Sequence, residues 1–173
     1  MGDLRAGIAV SPSPLAACVI VVVSMSLGFC TVAKLYSGAR AASDYVFIGG
    51  KTEHDILCVD DFEKFNSNVF VATEDGSLGF QGTVVDLFLS QRKRFRRNEK
   101  HYLYACGPAA MLKALAGAVR IENFINQASL EARMGCGFGA CWGCVVKTKH
   151  RKTPYQRVCE DGPVFRLEDI TWE

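Results

Sequence analysis

An α/β fold is predicted for this chain: a doubly wound parallel sheet followed by a small cysteine-rich region. Three observations carry that reading. Short apolar runs alternate with amphipathic stretches from Val19 to Val119. Glycine, proline and small polar residues punctuate these runs. After Val119 the alternation stops, and four of the eight cysteines crowd into 136–159. Strands alternating with helices imply parallel strands joined by crossovers, and a sheet covered on both faces.

The elements follow in order. Residues 1–18, with Gly2, Gly7, Pro12 and Pro14, read as a linker or irregular lead-in, because Pro and Gly at that density interrupt regular structure. The run Val19-Ile20-Val21-Val22-Val23 reads as a buried parallel strand, 24–30 as a turn and 31–38 as a helix. An alternative stands beside it: 15–33 is nineteen residues without a charge, near the length that crosses a bilayer. Against a span speak its interrupting serines, threonine and glycine and its shortage of Leu, Ile and Phe. Strands are then predicted at 45–48, 69–72 and 101–105, with helices at 53–65, 83–96 and 108–119. Ligands of such sheets bind beyond the carboxyl ends of the strands, which singles out the loops 24–30, 49–51, 73–76 and 106–108. A boundary is placed near 120, dividing a lobe at 19–120 from a unit at 121–173. A unit of about 50 residues is small for an apolar core alone, so a metal as fastening suits it.

Composition narrows the function. With 49% hydrophobic and 22% charged residues the chain is ordinary for a globular protein, and a net charge of +2 gives no argument for nucleic acid or an anionic membrane as partner. The run Arg92-Lys93-Arg94-Phe95-Arg96-Arg97 reads more simply as cations at the negative end of a helix dipole than as a nucleic-acid patch. Residues 147–152 read as the tip of a solvated hairpin. His54, His101 and His150 are isolated and read as structural. Eight cysteines without a cleavable signal pattern point to a reducing, cytoplasmic setting, where crowded cysteines mean metal rather than disulfides.

The crowded cysteines are spaced C-x4-C-x2-C-x14-C, as Cys136, Cys141, Cys144 and Cys159, the arrangement of plant-type 2Fe-2S sites. Three ligands on one tight loop must wrap a flat inorganic core, so the backbone comes close and amides point inward. Gly135, Gly137, Gly139 and Gly143 permit this, and their N–H groups can donate to sulfur and tune the potential. A four-cysteine zinc site is the alternative, although zinc sites usually show two separated short-spaced pairs.

These residues resemble a known family. The stretch Ser129-Leu-Glu-Ala-Arg-Met-Gly-Cys-Gly-Phe-Gly-Ala-Cys-Trp-Gly-Cys-Val-Val-Lys, then Tyr155-Gln-Arg-Val-Cys-Glu-Asp-Gly-Pro-Val-Phe165 and Trp172, resembles the end of the electron transfer subunit of class B (NAD-dependent) dihydroorotate dehydrogenase. Upstream, 71–86 and Tyr104-Ala-Cys-Gly-Pro-Ala-Ala-Met111 resemble that family's nucleotide lobe, of the ferredoxin reductase superfamily. The resemblance covers about 19–173. It implies an FMN-containing catalytic subunit as partner, which oxidises dihydroorotate in pyrimidine biosynthesis, and electrons passing through a 2Fe-2S cluster to FAD and NAD. It implies cluster ligation by Cys136, Cys141, Cys144 and Cys159. The candidate nucleotide contacts are Gly28, Thr73, Asp75, Gly76, Cys106, Gly107 and Pro108. Cys106 is thereby placed near the nicotinamide and flavin rings, against the plainer reading of a buried thiol.

Two departures from the family matter. Its FAD-binding barrel of roughly a hundred residues should precede the lobe, and eighteen residues precede Val19 here, so FAD is not expected on this chain alone. The family's glycine-rich turn stands here as Ser24-Met-Ser-Leu-Gly-Phe-Cys-Thr31, keeping only Gly28. Glycines in that turn let a pyrophosphate approach the amides of a helix N-terminus. Each charge-assisted hydrogen bond lost there costs about 1.5–3 kcal/mol, roughly a ten- to hundredfold weakening, so weak NAD binding is expected. The leading expectation is an electron-transfer component rather than a complete enzyme. A diverged reductase fragment serving another oxidoreductase, and a zinc-stabilised binding module, are the alternatives.

Overall fold

The computed structural model of the chain describes residues 18–23, 45–64, 68–95, 101–119 and 124–172, the first of these by its backbone alone. Nine strands are described: β1 Cys18–Val23, β2 Tyr45–Gly50, β3 Asn68–Thr73, β4 Phe80–Gln81, β5 His101–Cys106, β6 Phe124–Ser129, β7 Val145–Lys147, β8 Tyr155–Arg157 and β9 Val164–Phe165. The described helices are α1 Val59–Glu63, α2 Val84–Ser90 and α3 Ala109–Val119.

Seven strands form one sheet in the order β4-β3-β2-β1-β5-β6-β9, parallel except where β9 runs against β6. Here β1 lies between β2 and β5, bonded to both. The valine run 19–23 is thus an interior strand, as its β-branched, two-sided hydrophobicity predicts. The predicted helix 31–38 and the turn 24–30 lie outside the described residues, as do 1–17. Among the described residues no helix is long and apolar enough to cross a membrane.

Alternation along β2 shows why the sheet needs cover on both sides. Phe47 joins the main core with Phe70, Phe88, Leu103 and Leu112, whereas Val46 and Ile48 pack with Phe62 of α1 in a second cluster. Successive strand side chains point to opposite faces, so a strand apolar at every position is stable only between two layers. Phe47 stacks on Phe70 at 5.2 Å and meets Phe88 edge-on at 5.6 Å, geometries favoured by the ring quadrupoles.

Local chemistry shortens two predicted helices. The 53–65 segment divides into a 3₁₀ turn, Glu53–Asp55, and α1, because Cys58 sits in the left-handed region at φ 65° and interrupts the ladder. Helix α2 begins at Thr83, which accepts from the Asp86 amide while Asp86 accepts from the Thr83 amide, and it ends at Ser90 rather than 96. The basic run therefore starts beyond the helix, in a 3₁₀ turn Arg92–Arg94, which corrects the helix-dipole reading. Arg94 lies 5.3 Å over the Phe70 ring and donates to Gln91, so one of its cations covers the core.

The alternation does not end at Val119. After α3 the chain adds β6, parallel to β5, so the sheet runs past the boundary expected near 120. Strand β6 escapes a hydrophobic reading because it carries Asn126 and Gln127. Asn126 is buried nonetheless: its Oδ1 accepts from the Leu167 amide at 2.8 Å and its Nδ2 donates to Glu168 Oε2 at 2.9 Å. The C-terminal strap is pinned to the sheet there, helped by Trp172 Nε1 donating to the Leu167 carbonyl. Asn126→Ala strands the buried Leu167 amide and should lower stability by about 1–3 kcal/mol. Urea unfolding checks this, and a loss below about 0.5 kcal/mol, the range of an ordinary surface change, would contradict it.

Candidate functional site

The β7–β8 hairpin sets half of the site. Val145 pairs with Arg157, so Cys144, just before β7, and Cys159, just after β8, meet at the same end of the ladder. The Val158 amide donates to the Cys144 carbonyl at 3.0 Å, and the two Sγ atoms lie 3.2 Å apart. Cys144 and Val158 are buried in the main core, which anchors this pair. The 147–152 segment forms the hairpin tip as predicted. Lys149 Nζ donates there to the Glu168 carbonyl, and the Lys149 amide to that of Asp169.

The other half is a loop, 131–144, free of regular structure. It turns on Gly137 at φ 75° and Gly139 at φ 89°, conformations that a side chain strains. Trp142 takes the same region at φ 57°. These turns aim amides at sulfur: the Cys141 amide lies 3.4 Å from Cys136 Sγ, and the Gly143 amide 3.4 Å from Cys141 Sγ. A Cβ on Gly135 or Gly143 would stand 3.4 or 3.3 Å from Cys141 Sγ, so both glycines leave the sulfur room.

The electrostatics follow. Backbone N–H groups of Cys141, then Phe138, and less strongly Ala140, hold the Cys136 thiol down to about 6, so it is largely thiolate at neutral pH. Cys144 is lowered by the Cys159 amide and thiol, whereas Cys159 is raised, chiefly by the Cys144 sulfur, with Cys136 also repelling its charge. Among the described residues no three or more His, Cys, Asp or Glu side chains gather as a single-ion site does. The four thiols stand two and two, Cys136 with Cys141 and Cys144 with Cys159. A donor set of four cysteines so divided, with glycines and amides around it, fits a dinuclear iron-sulfur core.

The candidate nucleotide contacts lie elsewhere, on the carboxyl edge of the large sheet. Gly28 is outside the described residues. Thr73 ends β3 and Cys106 ends β5, three strand spacings apart, about 14 Å at about 4.8 Å each. The Thr73 hydroxyl is buried and holds its own loop, donating to the Leu78 carbonyl and accepting from the Leu78 amide. Asp75 accepts from the Ser77 hydroxyl and amide, which hold its carboxyl below the usual range. Gly76 turns at φ 77° beside Gln81. Cys106 is buried and, by burial first and Glu131 second, pushed up to about 11, so it is a neutral thiol rather than a nucleophile. The strand order reverses between β1 and β5, which places Cys106, Gly107 and Pro108 at the crevice where such sheets take ligands.

Comparison with known proteins bears on both parts. Residues 131–171 match the family described as the iron-sulfur cluster binding domain of dihydroorotate dehydrogenase B, a span enclosing all four cysteines. The chain is 36% identical over 152 residues to the dihydroorotate dehydrogenase B (NAD(+)) electron transfer subunit of Caldanaerobacter subterraneus subsp. tengcongensis, covering 87% of this chain and 58% of that one. The subunits of Fusobacterium nucleatum and Desulforamulus reducens are 40% and 37% identical over 134 and 129 residues. They cover 78% and 74% of this chain and 49% and 48% of their own. Over most of its length the chain is similar to dihydroorotate dehydrogenase B electron transfer subunits.

It spans about half the length of the curated relatives it matches. A solved NADH-dependent reduced ferredoxin-NADP oxidoreductase, studied for flavin-based electron bifurcation, is 23% identical with a TM-score of 0.68, covering 91% of this chain and 55% of that one. That likeness is one of fold, an α/β lobe built on a mainly parallel sheet. Within the matched segment 131–171 the residue that sequence reasoning missed is Arg157. Its Nη1 reaches the Gly139 carbonyl at 2.8 Å and Glu160 Oε2 at 2.7 Å. Its sequence signal is slight: a cation two positions before the last cysteine.

Proposed function

We propose that this chain relays single electrons through a 2Fe-2S cluster held by Cys136 and Cys141 on one iron and Cys144 and Cys159 on the other. The observation that carries this is that three thiols on a glycine-turned loop, whose amides face sulfur, are met by a fourth from beyond β8, Cys159 Sγ standing 3.2 Å from Cys144 Sγ. When bound, such a cluster supplies a one-electron store. The chain's own residues hold it and tune it. Backbone amides favour the thiolates, buried Cys144 and Val158 shield one side from water, and Phe138 and Trp142, 74% and 53% exposed, leave the other side open to a partner.

In this reading the partner is an FMN-containing catalytic subunit of dihydroorotate dehydrogenase type, in the cytoplasm. Electrons leaving dihydroorotate pass through the cluster toward FAD and NAD, with the nicotinamide end near Cys106, Gly107 and Pro108 and the loop of Thr73, Asp75 and Gly76 further along the sheet edge. Gly28 would meet the pyrophosphate. Anaerobically purified chain should carry two irons and two acid-labile sulfides. Stoichiometric zinc without labile sulfide would overturn the reading in favour of a zinc-fastened module.

A further inference from the structure

One guanidinium ties the two halves of the site together. Arg157 ends β8 with its side chain 22% exposed. The two N–H bonds of Nη1 are divided between the Gly139 carbonyl and Glu160, while Nε faces Asp161 Oδ2 at 3.5 Å. Its Cζ stands 4.9 Å from the Trp142 ring centroid. The side chain thereby joins the turn between the first and second cluster cysteines, one of the two residues between the second and third, and the two residues after the fourth.

The peptide plane turns this clamp into an effect on sulfur. A trans peptide points its C=O and the following N–H in opposite directions. With the Gly139 carbonyl drawn out to Arg157, the Ala140 amide points the opposite way, in the turn whose next amide, that of Cys141, stands 3.4 Å from Cys136 Sγ. The position of Gly139 is enforced from outside, since a Cβ there would run into Glu160 Oε2 and stand 3.1 Å from Arg157 Nη1.

We propose that Arg157 is a positioning residue that raises the reduction potential of the cluster by holding the Gly139 peptide in this orientation. The proposal rests on the four-cysteine reading above. A reduced cluster carries one more negative charge, which N–H donors and a nearby cation favour. Loss of Arg157 frees the peptide to turn, removes a cation and leaves Glu160 and Asp161 uncompensated. All three changes lower the potential.

The test is a potentiometric titration of the full chain, followed by electron paramagnetic resonance of the reduced cluster, for the unmodified protein, Arg157→Gln and Arg157→Lys. Glutamine should shift the one-electron equilibrium at least tenfold toward the oxidised form, about 59 mV. Lysine keeps the charge but not the fork, so it should shift the potential in the same direction by less. Both should weaken the exchangeable-proton couplings to the cluster. A merely structural Arg157 would lower iron content and leave the loaded fraction at its original potential, and that result for Arg157→Gln overturns the proposal. If the glutamine variant does not load, the lysine variant decides by the same criterion. Failure of both to load would make Arg157 a folding requirement and overturn it as well. Absence of iron and labile sulfide from the unmodified chain would instead refute the cluster reading beneath it.

Discussion

Serine in place of Cys144 should lower bound iron and labile sulfide at least tenfold, and the same change at Cys136, Cys141 or Cys159 should act in the same direction. A thiolate is the soft, polarisable donor that iron-sulfur clusters use, and a hydroxyl stays protonated at neutral pH. Cys144 should be the most sensitive. It is buried beside Val158 in the main core, so serine there both removes a ligand and buries a hydroxyl. Cys141 is exposed, and its replacement should cost the fold little. Cys58→Ser is the control: that residue packs with Ile56 and Val59 against Val46, Ile48 and Phe62 in the second cluster, and its loss should leave iron unchanged. Iron and sulfide analysis of the five purified variants decides. Equal loss in Cys58→Ser, or full retention in Cys144→Ser, would contradict the ligand assignment.

Gly139→Ala should also empty the site, although it removes no ligand. At φ 89° a side chain is strained by about 1–2 kcal/mol, and the added carbon meets the carboxylate that Arg157 holds. Relief requires the loop to turn, which takes the Cys141 amide off Cys136 Sγ. Occupancy should fall several-fold. The same substitution at Gly117 should do the opposite. That glycine lies exposed in the last turn of α3 with nothing within 4 Å of an added Cβ, so alanine should stabilise the chain by about 0.5–1 kcal/mol and leave iron untouched. Thermal unfolding and iron content, measured on both variants, separate the two effects. Full cluster occupancy in Gly139→Ala would show that the turn is not held as described.

Much of the fold was legible because it depends on local pattern. The runs at 19–23, 45–48, 69–72 and 101–105 each became a strand of the sheet, extended by a residue or two. Strand β4, two residues long, gives no periodicity to read. Strand β6 was hidden by Asn126, which a sequence pattern counts as polar and exposed. Its burial depends on the Leu167 amide and Glu168, some forty residues away. The helix of 83–96 stopped short because Thr83 fixes its start, while nothing in the propensities of Gln91 to Arg94 marks the 3₁₀ turn that follows Ser90.

By itself the sequence determined the parallel α/β class, through two-sided apolar strands, and the four candidate thiols, through a spacing that few other sites share. Both are short-range properties: side-chain alternation and the reach of a tight glycine loop. Tertiary structure alone decided that Cys144 and Cys159 meet, because the register of Val145 with Arg157 brings together two residues with fourteen others between them. It alone decided that the sheet continues to β6 and β9. And it alone placed Arg157 on the Gly139 carbonyl, since a guanidinium's partners are set by where the folded backbone presents oxygen, not by its neighbours in the chain.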